Sequence, residues 1–175
     1  LVSNIYFLSD TQQSIVTSQA AEEKLLTAYI QTHQGEMVKN DQYKFYLFGN
    51  QCPVDGQLST DSGKYGARLA RYVNNAGAIM IVDIDRNVID DALSSLDAGQ
   101  GSIVGFLTCD GGEYLSSLSE EAEGPVFAGK PYVEEAFAGE EGNGFSYVED
   151  NKYLFLYSRL EGRDALICAL VPRET

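Results

Sequence analysis

The strongest constraint on how this chain folds is the stretch from Gly144 to Pro172. Gly144-Phe145-Ser146-Tyr147-Val148 is followed by a polar turn at Asp150-Asn151 and by Tyr153-Leu154-Phe155-Leu156-Tyr157-Ser158-Arg159-Leu160. A second turn, Glu161-Gly162-Arg163, leads into Ala165-Leu166-Ile167-Cys168-Ala169-Leu170-Val171-Pro172. Three β-rich runs joined by two short polar turns form an antiparallel meander. If Asp150-Asn151 is a two-residue turn, Val148 pairs with Tyr153, Ser146 with Phe155 and Gly144 with Tyr157. On that face small residues confront Tyr153, Phe155 and Tyr157, with Arg159 further along. Small partners beside aromatic rings leave room for a ligand, and the guanidinium offers a clamp for a carboxylate. Two alternatives stay open here: a helix fills the space, or a three-residue turn shifts the register and dissolves the juxtaposition.

A length of 175 residues with 44% hydrophobic residues, eleven Tyr and eight Phe supports one large or two small domains with real cores. The formal charge of −14 excludes a basic nucleic-acid face and a polybasic patch on anionic lipid. That charge is uneven. Residues 1–76 carry a net −1 and residues 77–175 a net −13, with five glycines in the first part and twelve in the second. We therefore expect two regions, 1–76 and 77–175.

The first region reads as helical. Thr11 to His33 lacks Gly and Pro, and Ile15, Ala21, Leu25, Leu26, Tyr29 and Ile30 keep to one side of a helix, with Asp10 as N-cap and Gly35 as stop. Tyr43 to Phe48 is ambiguous between strand and helix. A second helix is expected over 61–75, with Tyr65, Leu69, Tyr72 and Val73 on one face and Asn74-Asn75-Ala76-Gly77 as its end. The second region alternates. Ala78–Val82 reads as a buried strand, followed by a helix capped by Asp85. Ser102–Thr108 is a strand turning at Asp110-Gly111-Gly112 into Glu113-Tyr114-Leu115. Residues 119–130 form an acidic loop, and Pro131 opens a helix that runs to Gly139.

Few motifs survive inspection. Gly124-Pro125-Val126-Phe127-Ala128-Gly129-Lys130 has the glycine–lysine spacing of a phosphate-binding loop. Pro131 stands where Ser or Thr should hold magnesium, and acidic residues precede the loop in place of a strand. Asp83-x-Asp85-x-Asn87 opens like a calcium loop, but Val88 and Ser94 occupy the positions that need Gly and Glu. Asp110-Gly111-Gly112-Glu113 is foremost a turn. His33 is the single histidine and sits in a helical segment, so no nucleophile triad is legible. The acidic pairs Glu120-Glu121, Glu134-Glu135 and Glu140-Glu141 read as solvated faces. No cofactor or metal site is expected. Cys52, Cys109 and Cys168 read as small hydrophobes, with a disulfide from Cys52 to either of the others as the alternative.

Asp110-Gly111-Gly112-Glu113 after an apolar strand, a variable acidic loop, the run Lys152–Leu160 and a final strand ending Leu170-Val171-Pro172 follow a family order. It resembles that of the Cache (PDC-type, PAS-like) extracytoplasmic sensor domains of bacterial transmembrane receptors. Gly77-Ala78-Ile79-Met80-Ile81-Val82-Asp83-Ile84 is similar to the join between tandem modules of that family. The resemblance covers roughly residues 77–172. It departs from the amino-acid-binding members, because the chain has no Trp and hence no Arg-x-Trp-Tyr element; Arg68-Leu69-Ala70-Arg71-Tyr72 is a distant counterpart at most.

The resemblance implies a receptor piece lying between two membrane helices that are absent from this chain, anchored in the cell membrane with this domain outside the cytoplasm. It implies a small-molecule pocket between the sheet and its covering loop, a homodimeric receptor, and a chemotaxis, histidine kinase or diguanylate cyclase output. The start at Leu1 agrees with a chain cut from something longer. We therefore expect an α+β fold, an N-terminal helical region followed by a mainly antiparallel PAS-like sheet with short helices, that senses a ligand without catalysis. The expected pocket residues are Tyr132, Tyr147, Tyr153, Tyr157 and Arg159, with Asp110 near the rim. Tyr147 and Tyr153 fall on opposite faces, so at most one of them lines the pocket. Phenols and one arginine suit a small organic anion. The competing expectations are an acidic interaction module for a basic partner protein and a carboxylate-based hydrolase.

Overall fold

The computed structural model describes residues 2–9, 15–16, 19–20, 25–49, 52–56, 63–96, 98–116, 123–160 and 165–174. The chain divides into two compact units, Leu1–Val88 and Ile89–Thr175.

Unit 1 holds strands β1 (Val2–Ser9), β2 (Ile15–Val16) and β3 (Gln19–Ala20), helices α1 (Leu25–Ile30) and α2 (His33–Asn40), then strands β4 (Tyr46–Phe48), β5 (Tyr65–Val73) and β6 (Ala78–Asp85). They form an antiparallel sheet in the order β3-β2-β1-β6-β5-β4. Helix α3 (Arg86–Ser94) crosses the division between the units. Unit 2 holds β7 (Ile103–Thr108), β8 (Glu113–Leu115), helix α4 (Pro131–Ala138), β9 (Asn143–Val148), β10 (Tyr153–Leu160) and β11 (Ala165–Pro172). Its sheet runs β8-β7-β11-β10-β9. Leaving aside the extra edge strand β3, the strands of each unit, numbered along the chain, lie in the order 2-1-5-4-3. One connectivity is used twice. The fold is α+β, as expected.

The N-terminal half departs from the helical expectation. Residues 61–75 supply β5, a central strand between β4 and β6, and Asn74–Gly77 is the link of a β-hairpin. Ala, Arg and Leu favour helix locally, but in-register pairing from Val73↔Ala78 to Arg68↔Asp83 overrides that preference. Gly77 takes the left-handed conformation (φ 56) that either ending would need. Val2–Ser9, read as part of the helical region, is the strand paired with β6. The helix expected over Thr11–His33 is reduced among the described residues to α1, preceded by two short strands; Asp10 and Ala21 lie outside them.

Gly35 is no stop. It sits inside α2, where the Thr32 hydroxyl accepts from its N–H at 3.1 Å. A Cβ at Gly35 would stand 1.9 Å from the Tyr29 carbonyl oxygen, so only glycine lets the two helices meet this closely. The unit boundary also moves. β6 pairs with both β1 and β5, so the charge step at Gly77 cuts through a hairpin of unit 1.

In unit 1, α1 and α2 cover one face of the sheet, burying Leu25, Leu26, Tyr29 and Val38 against Tyr6, Leu8, Phe48, Ile79 and Ile81. In unit 2, α4 covers one face, burying Val133 and Ala136 with Leu107, Phe127, Phe155 and Leu166. Each fully buried Leu or Phe contributes roughly 1.5–3 kcal/mol. Cys52 and Cys168 are buried, and no disulfide is formed among the described residues. This agrees with their reading as small hydrophobes.

Candidate functional site

The inner face of unit 2 is set by one turn. The Lys152 N–H donates to the Glu149 carbonyl at 3.1 Å across Asp150 (φ 57) and Asn151 (φ 62), both left-handed. The strands end at Val148 and Tyr153, so the link is a four-residue turn in which Glu149 (φ 51) is left-handed too, longer than the two-residue turn expected. It places Val148 opposite Tyr153, Ser146 opposite Phe155 and Gly144 opposite Tyr157, the register expected from sequence. Alternation then directs Tyr153, Phe155, Tyr157 and Arg159 to the face covered by α4. Phe155 is fully buried at its centre. Its ring lies 5.7 Å from that of Tyr157 and 4.8 Å from that of Tyr132 on α4. A Cβ on Gly144 would stand 2.7 Å from the Tyr157 hydroxyl, so the small partner is what admits the phenol.

Helix α4 and Phe127 fill much of this face, the alternative left open by the sequence. Arg159 closes one end. Its NH2 group donates to the carbonyls of Gly139 and Glu141, just past the end of α4, where a cation meets the negative pole of the helix. Two donors remain: the Arg159 Nε–H and the Tyr132 hydroxyl are buried and have no acceptor among the described residues. Burial pushes the Tyr132 phenol up to about 12, and the nearby acidic groups Glu149, Cys168 and Glu113 act in the same direction.

The other expected residues lie elsewhere. Tyr147 is on the opposite face, exposed, with the Arg173 guanidinium 4.5 Å from its ring centre. Asp110 sits in the β7–β8 turn and accepts from the Thr108 hydroxyl at 2.5 Å. The structure thus gathers Tyr132, Tyr153 and Tyr157 on the core of this face and places Arg159 at the opposite end of α4 from Tyr132, while Tyr147 lies on the other face and Asp110 in the β7–β8 turn.

Sequence reasoning missed Glu113 and Phe127. The Glu113 carboxylate accepts three successive backbone N–H groups, from Val126 at 2.8 Å, Phe127 at 2.7 Å and Ala128 at 2.8 Å. This segment lies between two left-handed glycines, Gly124 (φ 92) and Gly129 (φ 78). The phosphate-loop spacing thus has a physical origin. It is a run of amides curled around an anion, and the anion is the protein's own carboxylate.

Unit 1 closes its inner face differently. Arg68 is fully buried; it holds Asp83 through Nε–Oδ1 at 2.7 Å and NH2–Oδ2 at 2.9 Å, and Asp55 through NH1 at 2.8 Å. The Tyr65 hydroxyl donates to the second Asp55 oxygen at 2.6 Å, and its ring lies 4.7 Å from the guanidinium. Burial works against the Arg68 charge, but the hydrogen bonds and charge of Asp83 outweigh it and hold the guanidinium protonated. Asp83 is thereby committed to Arg68, while Asp85 accepts from the Asn87 N–H at 2.8 Å. The calcium-like spacing builds no metal cluster among the described residues.

On the outer face of unit 2, a groove of about 500 Å³ is walled by Leu96, Val104, Phe145, Leu156, Ile167 and Ala169, and Tyr157 borders it. Its lining contains no charged residue.

With both interiors defined, comparison with solved structures identifies the architecture. The extracellular domain of rpHK1S-Z16, a protein assigned as a histidine kinase, is similar over 98% of this chain and 71% of its own, with a TM-score of 0.65 at 13% identity. The fold is that of extracellular sensor domains. An extracellular ligand-binding receptor from Desulfohalobium retbaense is similar over 97% of this chain and 30% of its own (TM-score 0.53, 11% identity). The ligand-binding domain of the Pseudomonas fluorescens chemoreceptor CtaA, solved in complex with L-isoleucine, matches over 97% of this chain and 68% of its own (TM-score 0.50, 12% identity). No protein-family model and no curated protein sequence matches the chain. Among the described residues no helix is long and apolar enough to cross a membrane.

Proposed function

We propose that this chain is the extracytoplasmic ligand-sensing region of a bacterial transmembrane receptor, with a histidine kinase, chemotaxis or diguanylate cyclase output in other parts of the receptor. The observation that carries this reading is the sensor-domain fold over 98% of the chain, with its sheet connectivity repeated in two units. The chain acts by binding, and its receptor is a homodimer that passes ligand occupancy on as a shift of helices against the sheet. The ligand is a small organic anion on the inner face of unit 2. Support comes from two buried donors, the Arg159 Nε–H and the Tyr132 hydroxyl, each without an acceptor among the described residues. Either one left unmet costs about 1–3 kcal/mol, which a carboxylate would return. Tyr153 and Tyr157 flank the same face.

A thermal-shift screen of organic acids and amino acids tests this. A ligand at roughly 100 times its Kd adds about 2.7 kcal/mol and raises Tm by several degrees. The expected hit is an anion, and Arg159→Ala and Tyr132→Phe each weaken it at least tenfold. A screen without a stabilising compound, or a hit indifferent to both substitutions, overturns the assignment.

A further inference from the structure

Phe127 is placed in an unusual way for a loop residue. It is fully buried and rests on a glycine: a Cβ at Gly105 would stand 2.8 Å from its ring. Its ring lies 6.3 Å from that of Phe155, the centre of the aromatic group on the inner face. The backbone that delivers it spans Gly124 to Gly129, both left-handed and both with open space where a side chain would project. Among the described residues its amides are held by one carboxylate, that of Glu113, through three N–H bonds of 2.7–2.8 Å. The 3.1 Å bond from the Lys130 N–H to the Phe127 carbonyl closes the turn behind it. Permissive residues at both ends, one polar latch and one buried aromatic at the tip describe a strap carrying a plug.

We infer that Phe127 occupies, as an intramolecular stand-in, an apolar subsite of the ligand, and that Glu113 is the positioning residue that latches it there. The ligand class follows from the occupant: a compound bearing one aromatic ring or a branched apolar group of similar size. Combined with the unmet donors Arg159 and Tyr132, and resting there on the reading above, the class is an aryl or branched aliphatic carboxylate. Ligand and plug compete for the subsite, so the latch lowers apparent affinity by the fraction of molecules in which the plug is in place. Releasing the strap is then the event that ligand binding adds to the fold.

The test uses toluene, which carries no charge and ignores Arg159, so it reads the subsite alone. Phe127→Ala should bind toluene saturably, at least tenfold more tightly than the parent protein, with a rise in Tm; a dry apolar cavity of this kind takes small aromatics. Glu113→Gln should speed amide exchange at 126–128 at least tenfold while leaving β10 unchanged, and should also tighten toluene binding. A folded Phe127→Ala protein that ignores toluene, or unchanged exchange at 126–128 in Glu113→Gln, overturns the inference. Should Phe127→Ala fail to fold, Phe127→Val and Glu113→Gln carry the same test. A further arm compares 3-phenylpropanoate with toluene on Phe127→Ala. A gain that Arg159→Ala abolishes supports the combined class. Toluene binding with no gain for the acid keeps the subsite and sinks the organic-anion reading.

Discussion

Units 1 and 2 share a connectivity and close their inner faces by opposite means. In unit 1 a guanidinium, two carboxylates and a phenol saturate one another, and Arg68 is sealed from water. In unit 2 an aromatic side chain on a strap fills the face, and two polar donors are left without acceptors among the described residues. A saturated charge cluster is costly to break and gains nothing from a guest. The proposed role of Phe127 is that of a plug which a guest can displace while it satisfies one of the unmet donors on the same face. On the function proposed above, the contrast gives stability to the interior of unit 1 and binding to that of unit 2.

The sharpest way to break this contrast is Arg68→Met. It leaves Asp83 and Asp55 buried without their cation and should cost about 3–5 kcal/mol, felt in unit 1 alone. Denaturant unfolding followed by amide exchange in each unit checks this. Loss of equal size in both units would contradict it. Replacing Asp55 and Asp83 by apolar residues in the same variant should recover much of the loss.

Next in size is Gly144→Ala. Its Cβ would meet the Tyr157 ring, so the phenol must leave its seat at about 1–3 kcal/mol. Ligand affinity should fall with stability, and a thermal shift on the ligand-free and ligand-bound protein reads both.

How far the sequence anticipated these interiors follows from the range of the interactions. The β9–β10 register was legible because Asp150-Asn151 is a local signal, and the turn dictates every pair beyond it. The start of α4 at Pro131 and its end at Gly139 were equally local. β1 and β5 were not legible. β5 carries Ala, Arg and Leu that favour helix, and only partners distant in sequence make it a strand. The Arg68–Asp83 pair becomes visible only once Asn74–Gly77 is seen as a hairpin link, which sets the two residues directly opposite. Asp55 and the Glu113 latch reach across loops and left no periodic trace.

The smallest expected effect is the most discriminating between units. Tyr132→Phe removes a buried hydroxyl that has no partner among the described residues, so the ligand-free protein should become more stable at neutral pH by about 1 kcal/mol, while ligand affinity falls at least tenfold. The pH dependence has a definite sign. The folded-state value of Tyr132 is raised from 10 to about 12, so its contribution is fully present below pH 10 and is lost as pH rises towards 12. Tyr132→Phe should flatten the stability of unit 2 across that window and leave unit 1 unaffected; urea titrations at pH 9, 10 and 11 check it.

Nuclear magnetic resonance titration of the assigned protein with a stabilising organic acid from the screen tests the central claim most directly. The account predicts saturable shifts at the amides of 131–138 and 153–159 and around 126–128, with those of 65–68 and 83 unmoved. Shifts concentrated around Arg68 and Asp83, with the inner face of unit 2 silent, would contradict it.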